Sequence, residues 1–229
     1  LWNLGIVSFY GGTVMTDLAM QGSMHDYTVE HLETAFFADD LAFGELRPAE
    51  EFTDEDLDWG DPENLDRHRE TEPAPGWTFR GPETAVSGRT WGGCLATLDM
   101  QLRTGRYLPA PEDLAGRILL LETSEELPSA LDVREVLIGM GERGLLERFA
   151  GVLVGRAKAR NLFEDSGPEA RADYREDQRD TIADVLAEYN PDAPVVFDVD
   201  FGHTAPVVPM PVGGRVEIDP ASESIRVGE

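Results

Sequence analysis

Three short apolar runs, Ile118 to Leu121, Val152 to Val154 and Val195 to Phe197, recur along the second half of the chain with helical segments between them. Runs of this length with no polar alternation read as buried strands. Pro128 and Ser129 start a helix carrying Leu131, Val136, Leu137 and Met140, and Gly141 and Gly144 help end it. Glu169 to Tyr189 is a long charged helix with Ile182, Val185 and Leu186 on its apolar face. Upstream, Gly88 to Gly93 reads as a Gly-rich turn leading into a helix through Leu95, Leu98 and Leu102. Downstream, Arg215 to Ile218 and Ser224 to Val227 form a closing hairpin across Asp219-Pro220. Strands alternating with helices predict an α/β fold.

The first third is less regular. Ile6 to Tyr10 is β-prone, is read as a buried strand, and ends at Gly11-Gly12. Asp26 or Thr28 is placed to cap a helix bearing Val29, Leu32, Ala35 and Phe36. From Asp39 to Glu72 there are fourteen Asp and Glu against three Arg, with little periodicity, so this is read as a loop-rich, solvated connection. Pro73-Ala74-Pro75-Gly76 continues it, and Trp77 and Phe79 are expected to dock it on the core.

Charge narrows the function. The formal net charge is −26, which argues against broad contact with a nucleic-acid backbone, because that binding runs on Lys and Arg. Of the nineteen bases only Lys158 is a lysine. Acid excess with Arg for Lys suits a protein of salt-loving microbes, whose self-repulsion is screened within about 3 Å at ~1 M salt. A GC-rich genome explains the missing lysine but not the acid. No apolar run nears the ~20 residues needed to span a bilayer, so no membrane partner and a cytoplasmic location are expected. Cys94 is the single cysteine, which excludes an intrachain disulfide framework and any Cys-cluster metal site.

Two letter patterns carry little chemistry. Gly139-Met140-Gly141-Glu142-Arg143-Gly144 spells a dinucleotide fingerprint but sits at the end of a helix instead of opening one. His25, His31, His68 and His203 are too scattered to suggest a zinc site. More informative are Glu122, directly after the strand ending at Leu121, and His203, shortly after the strand ending at Phe197. Strand ends are where α/β folds place chemistry, and a carboxylate orienting a histidine that activates a nucleophile is triad logic. The alternatives are a capping or salt-bridging Glu122 and a structural His203.

Four segments, in order, resemble the LD-carboxypeptidase family of serine peptidases, including its branch similar to microcin C7 immunity proteins. Val7-Ser8-Phe9-Tyr10-Gly11-Gly12 resembles the family's aromatic-Gly-Pro turn, and Gly88 to Leu95 resembles its G-x-x-x-G-G-N-L loop. Gly116 to Glu122 is similar to its G-x-I-L-F-x-E strand. Phe201-Gly202-His203-Thr204-Ala205-Pro206, followed by Met210-Pro211-Val212-Gly213, is similar to its G-H-x-x-P and x-P-x-G segments. The acidic stretch Glu51 to Glu55, with Trp59 and Trp77 after it, resembles the immunity branch in particular.

The resemblance implies a Ser–His–Glu triad in which His203 is the base and Glu122 its carboxylate. It implies that Trp91, Gly92 and Gly93 border the substrate, with no metal or other cofactor. It implies the end of a flavodoxin-like N-terminal domain over 1–45, an acidic linker over 46–84 and a swivelling β/β/α domain over 85–229. The expected substrate is a small peptide or an aminoacyl-nucleotide, cleaved at an amide near a free carboxylate; self-association into a homodimer stays open. Two positions depart from the pattern: Cys94 stands for the family's Asn and Gly12 for its Pro. The family's nucleophile segment, G-x-S-D, lies upstream of its aromatic-Gly turn, which here is Tyr10-Gly11, so the resemblance implies a nucleophile before residue 1; Ser8, Ser23, Ser87 and Ser124 lack the Gly-flanked elbow that would replace it. A catalytically inactive domain that binds a ligand or partner is the alternative.

Overall fold

The computed structural model describes residues 1–11, 14–38 and 43–228, apart from the side chain of Val14. Gly12 and the start of the acidic stretch at Asp39 lie outside the described residues. In chain order the elements are β1 (Ser8–Tyr10), a π-helical turn (Val14–Leu18), α1 (Asp26–Phe37), β2 (Gly44–Glu45), β3 (Glu51–Phe52), β4 (Glu72–Pro73) and β5 (Thr78–Arg80). They continue with β6 (Val86–Cys94), α2 (Leu95–Thr104), β7 (Arg117–Glu122), α3 (Ala130–Glu142) and β8 (Phe149–Gly155). The last are α4 (Pro168–Tyr189), β9 (Val195–Val199), β10 (Met210–Val212), β11 (Arg215–Asp219) and β12 (Ser224–Val227).

An eight-stranded sheet runs in the order β2-β12-β11-β6-β7-β8-β9-β5. Its centre, β6 to β9, is parallel and in chain order, with one helix in each crossover. Right-handed crossovers stepping in one direction put every helix on the same face. Accordingly α2, α3 and α4 bury Leu98, Leu137, Val185 and their neighbours against Leu119, Leu121, Val152, Val154 and Phe197. The alternate residues Ile118, Leu120, Leu153 and Val196 face the opposite layer, with Phe201, Val208 and Met210. Two buried faces are the reason these strands carry no polar alternation. The antiparallel pair β1–β10 forms a separate two-stranded sheet. Small sheet, large sheet and helices give the α/β fold and the β/β/α layering expected of the C-terminal part.

Local signals mark both ends of α3. Ser129 caps α3, its hydroxyl accepting the Asp132 amide while Asp132 reaches back to the Ser129 amide. Gly144 (φ 66°) follows that helix in the left-handed region, so the dinucleotide-like glycines do mark a helix end.

Several expectations need correction. Gly88 to Gly93 is not a turn but the body of β6, paired with β11 up to Arg89 and with β7 from Thr90 on. A Cβ on Gly92 would stand 2.0 Å from the Leu120 carbonyl oxygen and one on Gly88 2.2 Å from that of Gly116. These glycines mark close backbone approach inside a strand. Gly92→Ala, at φ 131°, is therefore expected to cost about 2–5 kcal/mol from overpacking and backbone strain together. Urea denaturation checks it; an unchanged midpoint at unchanged slope would contradict the packing described. Neither Asp26 nor Thr28 caps α1: His25 precedes the helix without a side-chain cap, and the Thr28 hydroxyl accepts the Val207 amide. Phe36 of α1 is exposed, and β1 is half-buried and begins at Ser8.

The acidic stretch is irregular but not simply solvated. Leu46, Ala49, Phe52, Thr53, Asp54 and Leu57 are buried. Its β2 joins the large sheet on β12, its β3 pairs with β4 in a separate two-stranded sheet, and just beyond it β5 joins the other edge of the large sheet on β9. Asp54 accepts the Ala159 amide and pairs with Arg160 and Arg175. Burial alone would raise its carboxyl pKa, but Arg175, the Ala159 amide and Arg160 outweigh that and hold it below the ordinary range. Phe52 lies beneath two guanidinium groups, those of Arg156 and Arg175, at 4.5 and 4.8 Å. The acid charge of this segment is thus partly spent on the Arg and Lys that follow β8; Lys158 itself pairs with Asp56 at 2.7 Å.

Candidate active site

Glu122 ends β7, and His203 lies in the loop after β9, so parallel strands deliver both to the carboxyl edge of the sheet. The two residues, 81 positions apart, meet there: His203 Nδ1 stands 2.7 Å from Glu122 Oε2. Glycines make the approach possible. A Cβ on Gly202 (φ 104°) would fall 2.9 Å from Glu122 Oε2, and one on Gly155 2.4 Å from the Phe201 carbonyl oxygen. Gly202 is legible in the sequence as the residue before the histidine, but its purpose, close passage over a carboxylate, is a tertiary fact.

Glu122 is 1% exposed, while the His203 side chain is 34% exposed. The second carboxylate oxygen, Oε1, accepts a hydrogen bond from the Tyr10 phenol of β1. Burial first, then the charge and hydrogen bond of Glu122, push that phenol far above its ordinary pKa. On the other side of the imidazole, Nε2 stands 3.1 Å from Glu125 Oε2 in an ionic contact. Burial works to lower the His203 pKa, but the Glu122 hydrogen bond and the charges of Glu122 and Glu125 outweigh it, against a small opposing effect of Lys158. The net direction is upward from the ordinary 6.5.

The loop bearing His203 is fixed from behind. Asp200 Oδ2 accepts the Ala49 amide at 3.0 Å and the Trp77 indole N–H at 2.9 Å. Its Oδ1 stands 2.9 Å from Arg156 Nη1, an ion pair at an angle outside a hydrogen bond, with both side chains essentially sealed from solvent. Thr53 and Ala205 exchange backbone hydrogen bonds of 2.7 and 2.8 Å, so the acidic segment pins the loop on both sides of His203.

Of the three residues expected to border substrate, Trp91 is largely buried, with its ring stacked on Phe149 at 6.0 Å, yet it still lines the cleft that Gly92 and Gly93 border. Gly92 and Gly93 border a cleft of about 440 Å³ together with Tyr10, Cys94, Thr97 and Val212. Burial and then the Glu122 charge raise the Cys94 thiol pKa, the opposite of what a thiolate nucleophile requires. Among the described residues no serine hydroxyl is hydrogen-bonded to His203. No group of His, Cys, Asp and Glu among them gathers to hold a metal ion, and no helix is long and apolar enough to cross a membrane.

Sequence reasoning missed Tyr10, Glu125 and Asp200 as parts of this site. Tyr10 had a signal, as the aromatic residue before Gly11 in a segment matched to a family turn. Glu125 stood in the polar run Thr123 to Glu126, which pointed to capping as readily as to chemistry.

The fold has solved counterparts. An MccF-like protein from Streptococcus pneumoniae, determined in complex with AMP, superposes with a TM-score of 0.82 at 24% identity, over 99% of this chain and 64% of that one. The microcin C7 self immunity protein MccF, in complex with aspartyl sulfamoyl adenosine, gives 0.76 at 21% identity, over 99% and 62%. An MccF-like protein from Bacillus anthracis gives 0.73 at 21%, over 97% and 61%. The chain thus spans somewhat less than two thirds of the length of these relatives. No curated protein matches it in sequence. Residues 87–218 match the model of the LD-carboxypeptidase C-terminal domain, more than half of the chain and every segment from β6 to β11. That match, on a fold shared with the immunity proteins, establishes that the chain belongs to the LD-carboxypeptidase family of serine-type hydrolases.

Proposed function

We propose that this chain supplies the base and the orienting carboxylate of a serine amidohydrolase that cleaves an amide bond near a free carboxylate. The observation that carries the reading is the Glu122–His203 contact at the carboxyl edge of the sheet, with the carboxylate buried and the imidazole half-open. Glu122 holds Nδ1–H, which leaves Nε2 to take the proton of an attacking serine and then return it to the leaving amine. The serine comes from a segment preceding Leu1, and it displaces Glu125 from Nε2 as it docks. In this reading residues 1–45 end the domain that carries the serine, 46–84 link, and 85–229 form the swivelling domain. Trp91, Gly92 and Gly93 border the substrate. The reading requires no cofactor.

The substrate class we favour is an aminoacyl-nucleotide over a peptidoglycan L,D-peptide. Its support is the MccF-like branch of the fold, whose solved members hold AMP and aspartyl sulfamoyl adenosine, and the acidic segment with Trp59 and Trp77.

The test compares residues 1–229 with the protein extended upstream through a G-x-S-D segment. Aspartyl sulfamoyl adenosine and an L,D-tetrapeptide are offered to both. The short chain is expected to be inert, and the extended one to hydrolyse the first substrate and lose that activity on Ser→Ala in the added segment. An extended protein that binds but never cleaves would favour the inactive ligand-binding domain. Turnover by the short chain that survives Ser→Ala at 8, 23, 87 and 124 would require another mechanism.

A further inference from the structure

The two oxygens of Glu122 are divided between different partners. Oε2 faces His203 Nδ1, and Oε1 accepts the hydroxyl of Tyr10. The tyrosine comes from outside the large sheet, on β1, where it pairs in register with Met210 of β10. Its ring is held on two sides. It meets Phe201 edge-on, with centroids 6.3 Å apart and planes at 80°. It also passes so close to Gly93 that a Cβ there would stand 3.3 Å from the ring. A phenylalanine would satisfy both contacts; the hydroxyl is needed only by the carboxylate.

We infer that Tyr10 is a positioning residue of the proposed hydrolase: its phenol fixes Oε1 of Glu122, so that Oε2 stays aimed at His203. A carboxylate with 1% exposure has no solvent to satisfy a freed oxygen. Losing one donor therefore destabilises its charged form. The upward displacement of the Tyr10 phenol agrees with a proton held against this anion. The inference rests on the hydrolase reading for its purpose, but the bond can be tested without it.

The titration of His203 is the readout. The groups facing it are Glu122 at the end of β7, Glu125 just beyond, Lys158 after β8, and, through Glu122, Tyr10 of β1 and Cys94 of β6. Tyr10→Phe removes a donor from the anion, so the proton affinity of the Glu122–His203 pair rises. Imidazole resonances of the 229-residue chain, with His203 assigned through His203→Gln, are expected to shift their apparent pKa up by about 0.5–1 unit in Tyr10→Phe. The same change made in Glu122→Gln is expected to produce no shift, since the carboxylate is gone. An unmoved His203 in Tyr10→Phe, or an equal shift in both backgrounds, overturns the inference. Should Tyr10→Phe fail to fold, Glu122→Gln alone reports the same bond: the Tyr10 phenol then ionises at lower pH, and an unchanged phenol titration overturns the inference. In the serine-bearing enzyme, Tyr10→Phe is expected to lower kcat about tenfold at constant KM and to move the acidic limb of the rate profile to higher pH. A titration shift in a protein that hydrolyses no amide leaves the bond standing and removes the hydrolase reading. Hydrolysis by a Tyr10→Phe enzyme with unchanged kcat and titration does the reverse.

Discussion

In the enzyme that carries its serine segment, His203→Ala is expected to lower kcat for amide hydrolysis by about 10⁴- to 10⁶-fold. The residual rate would be what binding and oxyanion stabilisation supply without a base. Glu122→Gln is expected to cost about 10⁴-fold, since an amide at that position no longer enforces the tautomer that leaves Nε2 free. The double variant should be hardly worse than His203→Ala, because members of a triad act as a unit. The pH dependence has a definite sign. Glu122 and Glu125 raise the His203 pKa, so the neutral imidazole required of a base appears only above the ordinary 6.5, and kcat/KM should climb through the neutral range. The same elevation stabilises the fold below pH about 6.5, the unfolded value, and that contribution is lost as pH rises through the folded one. Steady-state rates from pH 5 to 9 for the parent and both variants decide the matter. A His203→Ala enzyme within tenfold of the parent would remove the triad.

Asp200→Ala should be the most damaging single change to stability. Arg156 is 1% exposed and Asp200 fully buried, so removing the carboxylate strands a guanidinium in the interior. Breaking one partner of such a pair costs about 3–5 kcal/mol, or roughly 6–20 °C in melting temperature for a chain of this size. The Ala49 amide and the Trp77 indole lose their acceptor together. Trp77 fluorescence should therefore shift to the red before global unfolding. Replacing both charges, as in Arg156→Met with Asp200→Leu, should recover much of the loss, because no lone charge remains. A melting temperature for Asp200→Ala within 2 °C of the parent would show that the pair contributes little.

What could be read from sequence follows the range of the forces involved. The apolar runs and the helical periods are local, and they yielded β7, β8, β9, α3, α4 and the β11–β12 hairpin. Glu122 and His203 were legible because strand ends in such a sheet converge, and because the glycine-histidine and strand-Glu segments resemble a family. Gly88 to Gly93 misled because three glycines in six residues look like a turn to any local rule, whereas here Gly88 and Gly92 admit the neighbouring backbone and Gly93 the ring of Tyr10. The acidic stretch misled for the same reason. Its charge density implies solvation until Arg156, Lys158, Arg160 and Arg175, a hundred positions away, are known to meet it. The segment holding Tyr10 was legible as a family-like turn, but its bond to Glu122 needed coordinates, as did the contact of Glu125 with His203, since both meet residues more than seventy positions away.

The acidic segment also settles how the large sheet ends. Both outermost strands come from it or from its immediate borders, Gly44–Glu45 at one side and Thr78–Arg80 at the other. An open sheet edge is a template for another chain, and natural proteins blunt it with very short, charged strands. These are two and three residues long and carry Glu45 and Arg80. The same stretch of chain therefore acts as a pair of end stops. A cut or deletion between Leu46 and Trp77 that let either strand drift off would expose the flank of β12 or β9 to edge-to-edge pairing between molecules, so the first sign of damage there would be self-association.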